Sequence, residues 1–142
     1  MDADGALVGP FNAMLLQPAL GEALQQLGGA VRYRTGLTGR AREIAILTVA
    51  RVWKSDFETY AHRAVGRVVG LSEQELDATT FDDPGEQLVA DTTFALASRN
   101  DLTDEEFAQA EAGLGLPTVF ELTTLVGYYA TLALQLRVFR VS

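Results

Sequence analysis

Ser55, Ser72 and Thr103 each stand three residues ahead of a glutamate, Glu58, Glu75 and Glu106 respectively. That spacing marks a helix start, where the hydroxyl takes the third residue's amide proton and the carboxylate turns back to the first. Pro18 sits in a first turn ahead of ALGEALQQL, Asp83 followed by Pro84 starts another helix, and Pro117 opens the last, TVFELTTLVGYYATLALQLRVF. No segment alternates with period two over a length that would make a strand. The chain therefore reads as all-α, with about seven helices in a single domain over residues 1–142, and with no repeat, low-complexity tract or linker to divide it.

Composition narrows the function. A hydrophobic fraction of 48% with 21% charged residues belongs to a folded globular chain. Eleven Lys plus Arg against nineteen Asp plus Glu leave a formal charge of -8, and between Val68 and Leu136 the only cation is Arg99. Such a surface repels phosphate, so nucleic acid is not an expected partner. The absence of cysteine excludes disulfides, thiolate metal sites and thiol nucleophiles. The opening MDADGALVGP is acidic where a secretory signal is basic, so a cytoplasmic location is expected. The uncharged run Leu122–Leu136 falls short of the roughly 20 apolar residues that cross a bilayer, so no membrane role is expected either.

Two helices invite a reading of faces. In the first, Leu20, Ala23, Leu24 and Leu27 recur at the spacing of one buried stripe. After the glycine-marked loop RTGLTG, REIAILTVARVW is apolar on nearly every side, as a central helix wrapped by others should be. The last helix carries apolar residues from Phe120 to Phe139 on more than one face, which suits either the core of its own domain or a subunit interface.

The only histidine, His62, lies in SDFETYAH, four residues after Glu58. On a helical wheel Phe57, Tyr60, Ala61, Ala64, Val65, Val68 and Val69 span one apolar arc that contains Glu58, with His62 at its edge. A carboxylate and an imidazole one turn apart on a desolvated surface can exchange or share a proton. The plain alternative is that Glu58 turns back to the Ser55 amide as the third residue of a capping box, and that His62 is a half-buried histidine bonded to a neighbour. Glu43 likewise is either a first-turn acid favoured by the helix dipole or a partly buried carboxylate in need of a partner. One histidine among scattered carboxylates makes no metal-ligand cluster, and neither a Gly-x-Ser-x-Gly elbow nor a phosphate-binding glycine loop is present. What remains is proton transfer or binding, with no metal and no cofactor expected.

The stretches GPFNAMLLQPALGEALQQLG, LTGRAREIAILTVARVW, SDFETYAHRAVGRVVGLSEQEL and ELTTLVGYYATLALQL resemble the carboxymuconolactone decarboxylase and alkylhydroperoxidase D (AhpD-like) superfamily of small all-α proteins. The resemblance implies a bundle of about six to eight helices and a homo-oligomer, trimer or hexamer. The peroxidase branch places a Glu, two Cys and a His at spacings that here fall on Glu43, Ser55, Glu58 and His62. With oxygen side chains at both cysteine positions, the cysteine-dependent peroxidase reaction is excluded. The decarboxylase branch matches in its Glu-x-x-x-His element, ETYAH. That branch implies a cofactor-free decarboxylase or lactone isomerase acting on a small carboxylated lactone or related ring acid, as in the degradation of aromatic compounds, with Glu43, Glu58 and His62 as a buried catalytic cluster. In that reading His62 is the proton donor, Glu58 holds its tautomer and pKa, and Glu43 is a second proton carrier or orients the ring. Arg40 or Arg42 is expected to grip an anionic substrate, and Ser55 and Tyr60 to line the site. The other readings are a hydrolase or dehydratase using the same acid/base pair, and a non-catalytic ligand-binding or assembly protein with the same fold.

Overall fold

The structure is a computed structural model that describes residues 13–141. Residues 9–12, where the resembling stretch begins, and the acidic opening lie outside them. Seven helices follow one another: α1 (Pro18–Tyr33), α2 (Gly39–Val52), α3 (Asp56–Val68), α4 (Glu73–Leu76), α5 (Pro84–Arg99), α6 (Asp104–Leu114) and α7 (Leu116–Val138), with no strand among the described residues. The expected starts are present. Ser72 and Thr103 form complete capping boxes with Glu75 and Glu106, and Asp83 caps α5 through the Glu86 amide ahead of Pro84.

Helix α2 is the hub, packed against α3, α5 and α7. From Ala41 to Ala50 every residue except Arg42 is buried. One side (Ala41, Ala45, Ile46, Val49) joins the main core with Leu122, Leu125, Val126, Tyr128, Tyr129 and Leu132 of α7. The other (Ile44, Leu47) meets Leu71, Leu76 and Ala90 in a second cluster. Each of these aliphatic side chains gains roughly 1.5–3 kcal/mol on leaving water, so the position of α2 is strongly fixed. Glu43 is carried in on this helix and is completely buried.

Two faces differ from the sequence expectation, for one physical reason. In α1 the buried positions are Gly21, Gly28 and Val31, while Leu20 and Leu27 are exposed. Small residues let α1 approach closely: a Cβ on Gly28 would collide with the Tyr128 hydroxyl of α7. In α3 the innermost row is Glu58, His62 and Gly66, one per turn, and Tyr60 and Val68 point out at 81% and 86% exposure. At Gly66 a Cβ would stand 2.7 Å from Leu76 Cδ2, so that glycine is what lets Leu71 and Leu76 close over the helix. Close approach and polar partnership decide both faces against the count of apolar side chains.

Helix α7 runs 23 residues, further than Leu122–Leu136, and by length and composition alone it is long and apolar enough to cross a membrane. Half of that apolar window is buried against the rest of the fold, where it packs on α1, α2, α5 and α6. Phe120, Leu134, Val138 and Phe139 remain on its outer side.

The two adjacent glycines of α1 give a sharp test of this packing. Gly28→Ala should lower stability by about 1–3 kcal/mol, because the buried Tyr128 ring must shift. A Cβ on Gly29 meets nothing within 4 Å, so Gly29→Ala should be neutral or stabilising by up to about 1 kcal/mol. Thermal unfolding of both variants checks this, and equal effects would contradict the described approach of α1 to α7.

Candidate active site: a buried Glu/His/Glu cluster

The turn from α2 to α3 sets up the site. Lys54 adopts a left-handed conformation (φ 53), the Lys54 amide donates to the Arg51 carbonyl and the Ser55 amide donates to the Ala50 carbonyl. This is a Schellman-type ending, with the crossed pair of bonds that satisfies the last carbonyls of a helix. Its consequence reaches Glu58. Ser55 caps α3 by accepting from the Glu58 amide at 3.4 Å, but the Ser55 amide is already taken by Ala50, so the returning arm of the capping box does not form. The Glu58 side chain is free to turn inward, one helical turn before His62.

There His62 lies between two carboxylates from two helices. Its Nδ1 is 2.6 Å from Glu43 Oε1, and its Nε2 is 3.3 Å from Glu58 Oε2. A carboxylate only accepts, so Nδ1 carries a proton and donates it to Glu43. All three side chains are buried. The second oxygen of Glu43 accepts from Arg42 Nε at 2.6 Å, and Arg42 Nη1 donates to the Arg32 carbonyl of α1 at 3.1 Å. Tyr129 of α7 closes the cluster, edge-on to the imidazole with ring centroids 5.3 Å apart and planes at 87°.

Burial acts to lower the imidazole pKa, since it disfavours the charged form. The hydrogen bonds and charges of Glu43 and then Glu58 outweigh it and hold His62 at about 8. Near neutral pH the ring is therefore mostly imidazolium, a buried proton donor whose Nδ1 is held by a short contact and whose Nε2 has a looser one. Burial also raises the Tyr129 hydroxyl well above its ordinary value, and the nearby carboxylates add to that effect.

Of the seven residues singled out in the sequence, Glu43, Glu58 and His62 come together. The division of labour differs from expectation, because Glu43 makes the closer contact to His62. Ser55 is buried at the edge of the cluster as a cap. Arg42 belongs to it as the ion-pair partner of Glu43, with little of its side chain exposed. The remaining two, Arg40 and Tyr60, lie apart from the cluster. Arg40 is spent on the scaffold: Nε donates to Glu86 at 2.9 Å, Nη2 to Glu75 at 2.6 Å and Nη1 to the Gly70 carbonyl at 2.6 Å, tying α2 to α4 and α5. Its guanidinium is thus engaged by Glu75, Glu86 and the Gly70 carbonyl. Tyr60 faces away from the cluster, since two residues along a helix from both Glu58 and His62 is the opposite side.

Arg32, Tyr128 and Tyr129 were not among the expected site residues. A signal existed in the tyrosine pair of an otherwise apolar helix, as a buried tyrosine hydroxyl normally requires a partner. Elsewhere, a cleft of about 680 Å³ opens between α2, α5 and α6, lined by Thr48, Arg51, Gln87, Phe94 and Arg99 among others, and none of Glu43, Glu58 or His62 lines it. Among the described residues no group of His, Asp and Glu side chains is arranged to hold a metal ion.

The lone histidine makes the cluster directly measurable. The His62 ring protons should titrate in NMR with a midpoint near 8, and Glu43→Gln should lower that midpoint more than Glu58→Gln does. A midpoint at the free-imidazole value of about 6.5, or one indifferent to Glu43, would contradict the geometry.

Residues 18–82 match the model of the Carboxymuconolactone decarboxylase family. No curated protein and no solved structure matches the chain. The matched residues supply α1 to α4 and, with them, the three members of the cluster, so this segment of the chain is similar to the carboxymuconolactone decarboxylase family, in line with the resemblance in the sequence.

Proposed function

We propose that the protein is a cofactor-free enzyme of the cytoplasm, a decarboxylase or lactone isomerase, acting by proton transfer on a small carboxylated lactone or related ring acid. Loss of CO2 from such a substrate leaves an electron pair that moves into the ring carbonyl, and the carbon left behind needs a proton. His62 supplies it from Nε2 and becomes neutral; solvent restores the proton before the next cycle. Glu43, through the Nδ1 contact, fixes the tautomer and keeps the ring charged at neutral pH. Glu58 holds the transferable proton loosely until substrate takes its place. The isomerase variant uses the same two positions, a carboxylate to accept a proton and the imidazolium to return one.

The observation that carries this reading is the asymmetry of the two histidine contacts. An imidazole locked at one nitrogen at 2.6 Å and loosely held at the other at 3.3 Å is charged, oriented and able to give up one proton. A static structural ion pair has no need of that difference.

A second reading, a ligand-binding or assembly protein with this fold, is favoured by where the surface is concave and where it is apolar. The 680 Å³ cleft lies apart from the cluster, and Leu15, Leu16, Leu20, Leu27, Phe120 and Leu134 are exposed on α1, the segment before it, and α7. We propose that these side chains are covered in a homo-oligomer, a trimer or hexamer, whichever reading holds.

Turnover of a panel of carboxylated five-membered lactones, read as CO2 release for decarboxylation and as a change in ultraviolet absorbance for isomerisation, separates the two. Wild type should turn over at least one of them, and His62→Ala should lower kcat by about 10²–10⁴. Because the donor must be protonated, kcat should fall as pH rises through about 8. Arg40→Met should lower stability and leave KM unchanged. Absence of turnover across the panel, or turnover indifferent to His62, favours the binding protein.

A further inference from the structure

Burial leaves five side-chain atoms without a hydrogen-bond partner among the described residues: Arg32 Nε, Glu58 Oε1, Thr93 Oγ1, Tyr129 Oη and Gln135 Oε1. An orphaned buried polar atom is unfavourable and calls for an explanation. Three of the five share one neighbourhood. Tyr129, 2% exposed, stands edge-on to His62, and its hydroxyl feels the charges of Arg32, Glu58 and Glu43. The Arg32 guanidinium lies close enough to Tyr129 to interact with it, although neither atom reaches hydrogen-bond geometry with the other.

The charges of the cluster do not balance either. Arg42 is paired with Glu43, and protonated His62 lies between Glu43 and Glu58. Arg32 has no carboxylate among the described residues, so two carboxylates face two arginines and an imidazolium. The surplus is one positive charge, and the orphaned atoms are two donors, Arg32 Nε and Tyr129 Oη, against a single acceptor, Glu58 Oε1. With one acceptor for two donors and a net positive charge, the combination has a place for one further anionic oxygen.

The approach of two helices brings the donors together. Gly28 and Arg32 are four apart on α1 and share a face. At Gly28 the missing side chain admits the Tyr128 hydroxyl, and Tyr128 in turn packs edge-on against Tyr129 at 5.0 Å. The close approach of α1 to α7 thus brings the Arg32 guanidinium beside Tyr129, whose ring in turn meets His62.

We propose that Arg32 Nε and Tyr129 Oη form an oxyanion seat beside His62, binding an anionic oxygen carried on a small ring. The proposal rests on the proton-transfer reading of the preceding subsection and supplies what that reading lacks once Arg40 is committed to the scaffold. As CO2 leaves, negative charge moves from the carboxylate to the ring-carbonyl oxygen, and two fixed donors at that oxygen favour the transition state over the substrate. Arg32 and Tyr129 then touch the reacting group, while His62 protonates the carbon.

Two probes test the seat without requiring turnover. 4-Nitrophenolate presents an anionic oxygen directly on a ring and reports binding by its visible absorption; 2-furoate presents a ring carboxylate and reports through the His62 NMR signal. Wild type should bind at least one. Tyr129→Phe and Arg32→Met should each weaken that binding by about tenfold or more, with Arg32→Lys recovering part of it. Phenolate selected over furoate identifies the ring-oxygen seat, and the reverse identifies a seat for the substrate carboxylate. Because the hydroxyl is orphaned in the free protein, Tyr129→Phe should melt no lower than wild type, a result that a purely structural hydroxyl would not give. Binding of neither probe, or binding unmoved by both substitutions, overturns the seat. Turnover with unchanged kcat and KM in Tyr129→Phe overturns it while leaving the lyase intact, whereas Arg32-dependent and Tyr129-dependent binding without turnover overturns the lyase and keeps the seat.

Discussion

A carboxylate with no access to water holds this structure to one arrangement. Glu43 sits on the most buried helix of the chain, where an unpartnered charge is far too costly to persist. Its two oxygens are therefore divided, Oε1 to His62 of α3 and Oε2 to Arg42, which reaches on to the Arg32 carbonyl of α1. One side chain thereby joins three helices. Any slip of α3 along α2 would strand both the acid and the imidazole, which is why the inner row of α3 is Glu58, His62 and Gly66 although its apolar residues point elsewhere.

The same constraint shapes the chemistry. In the proposed reaction two acids hold His62 charged in its buried place, and their unequal distances from its two ring nitrogens leave one proton fixed and the other transferable. The second acid is free for this duty only because the α2 ending has already used the Ser55 amide. A local backbone motif and a reactive side chain are thus linked: the Schellman turn at Lys54 converts what would be a cap into a partner for histidine.

Much of the architecture was legible in the residues. Helix starts follow from Ser72, Thr103 and the Asp83–Pro84 pair because capping is a local interaction, complete within four residues. The central place of α2 follows from apolar residues on all its sides. The inward faces of α1 and α3 were not legible. There the deciding partners are remote in sequence: Tyr128 against Gly28, Leu76 against Gly66, Glu43 against His62. The leucines of α1 and the valines of α3 lose to them because a close approach through glycine, or a satisfied buried charge, outweighs a few exposed methyl groups. The members of the cluster were readable from spacing and family resemblance together. The duty of Arg40 was not, because Glu75 and Glu86 reach it from helices far along the chain, and the roles of Arg32 and Tyr129 appear only when α1 and α7 are seen side by side.

The central claim is that His62 is a buried imidazolium sustained by Glu43, and the pH dependence of global stability tests it most directly. A histidine whose pKa rises from about 6.5 when unfolded to about 8 in the fold contributes stability that is fully present below 6.5 and is lost as pH rises through 8. Urea unfolding of wild type and His62→Asn between pH 5.5 and 9.5 isolates that contribution. The stability difference should shrink by about 2 kcal/mol across the interval, with most of the change between pH 6.5 and 8. A difference that stays flat, or grows with pH, would mean that His62 is neutral in its native setting and would contradict the account.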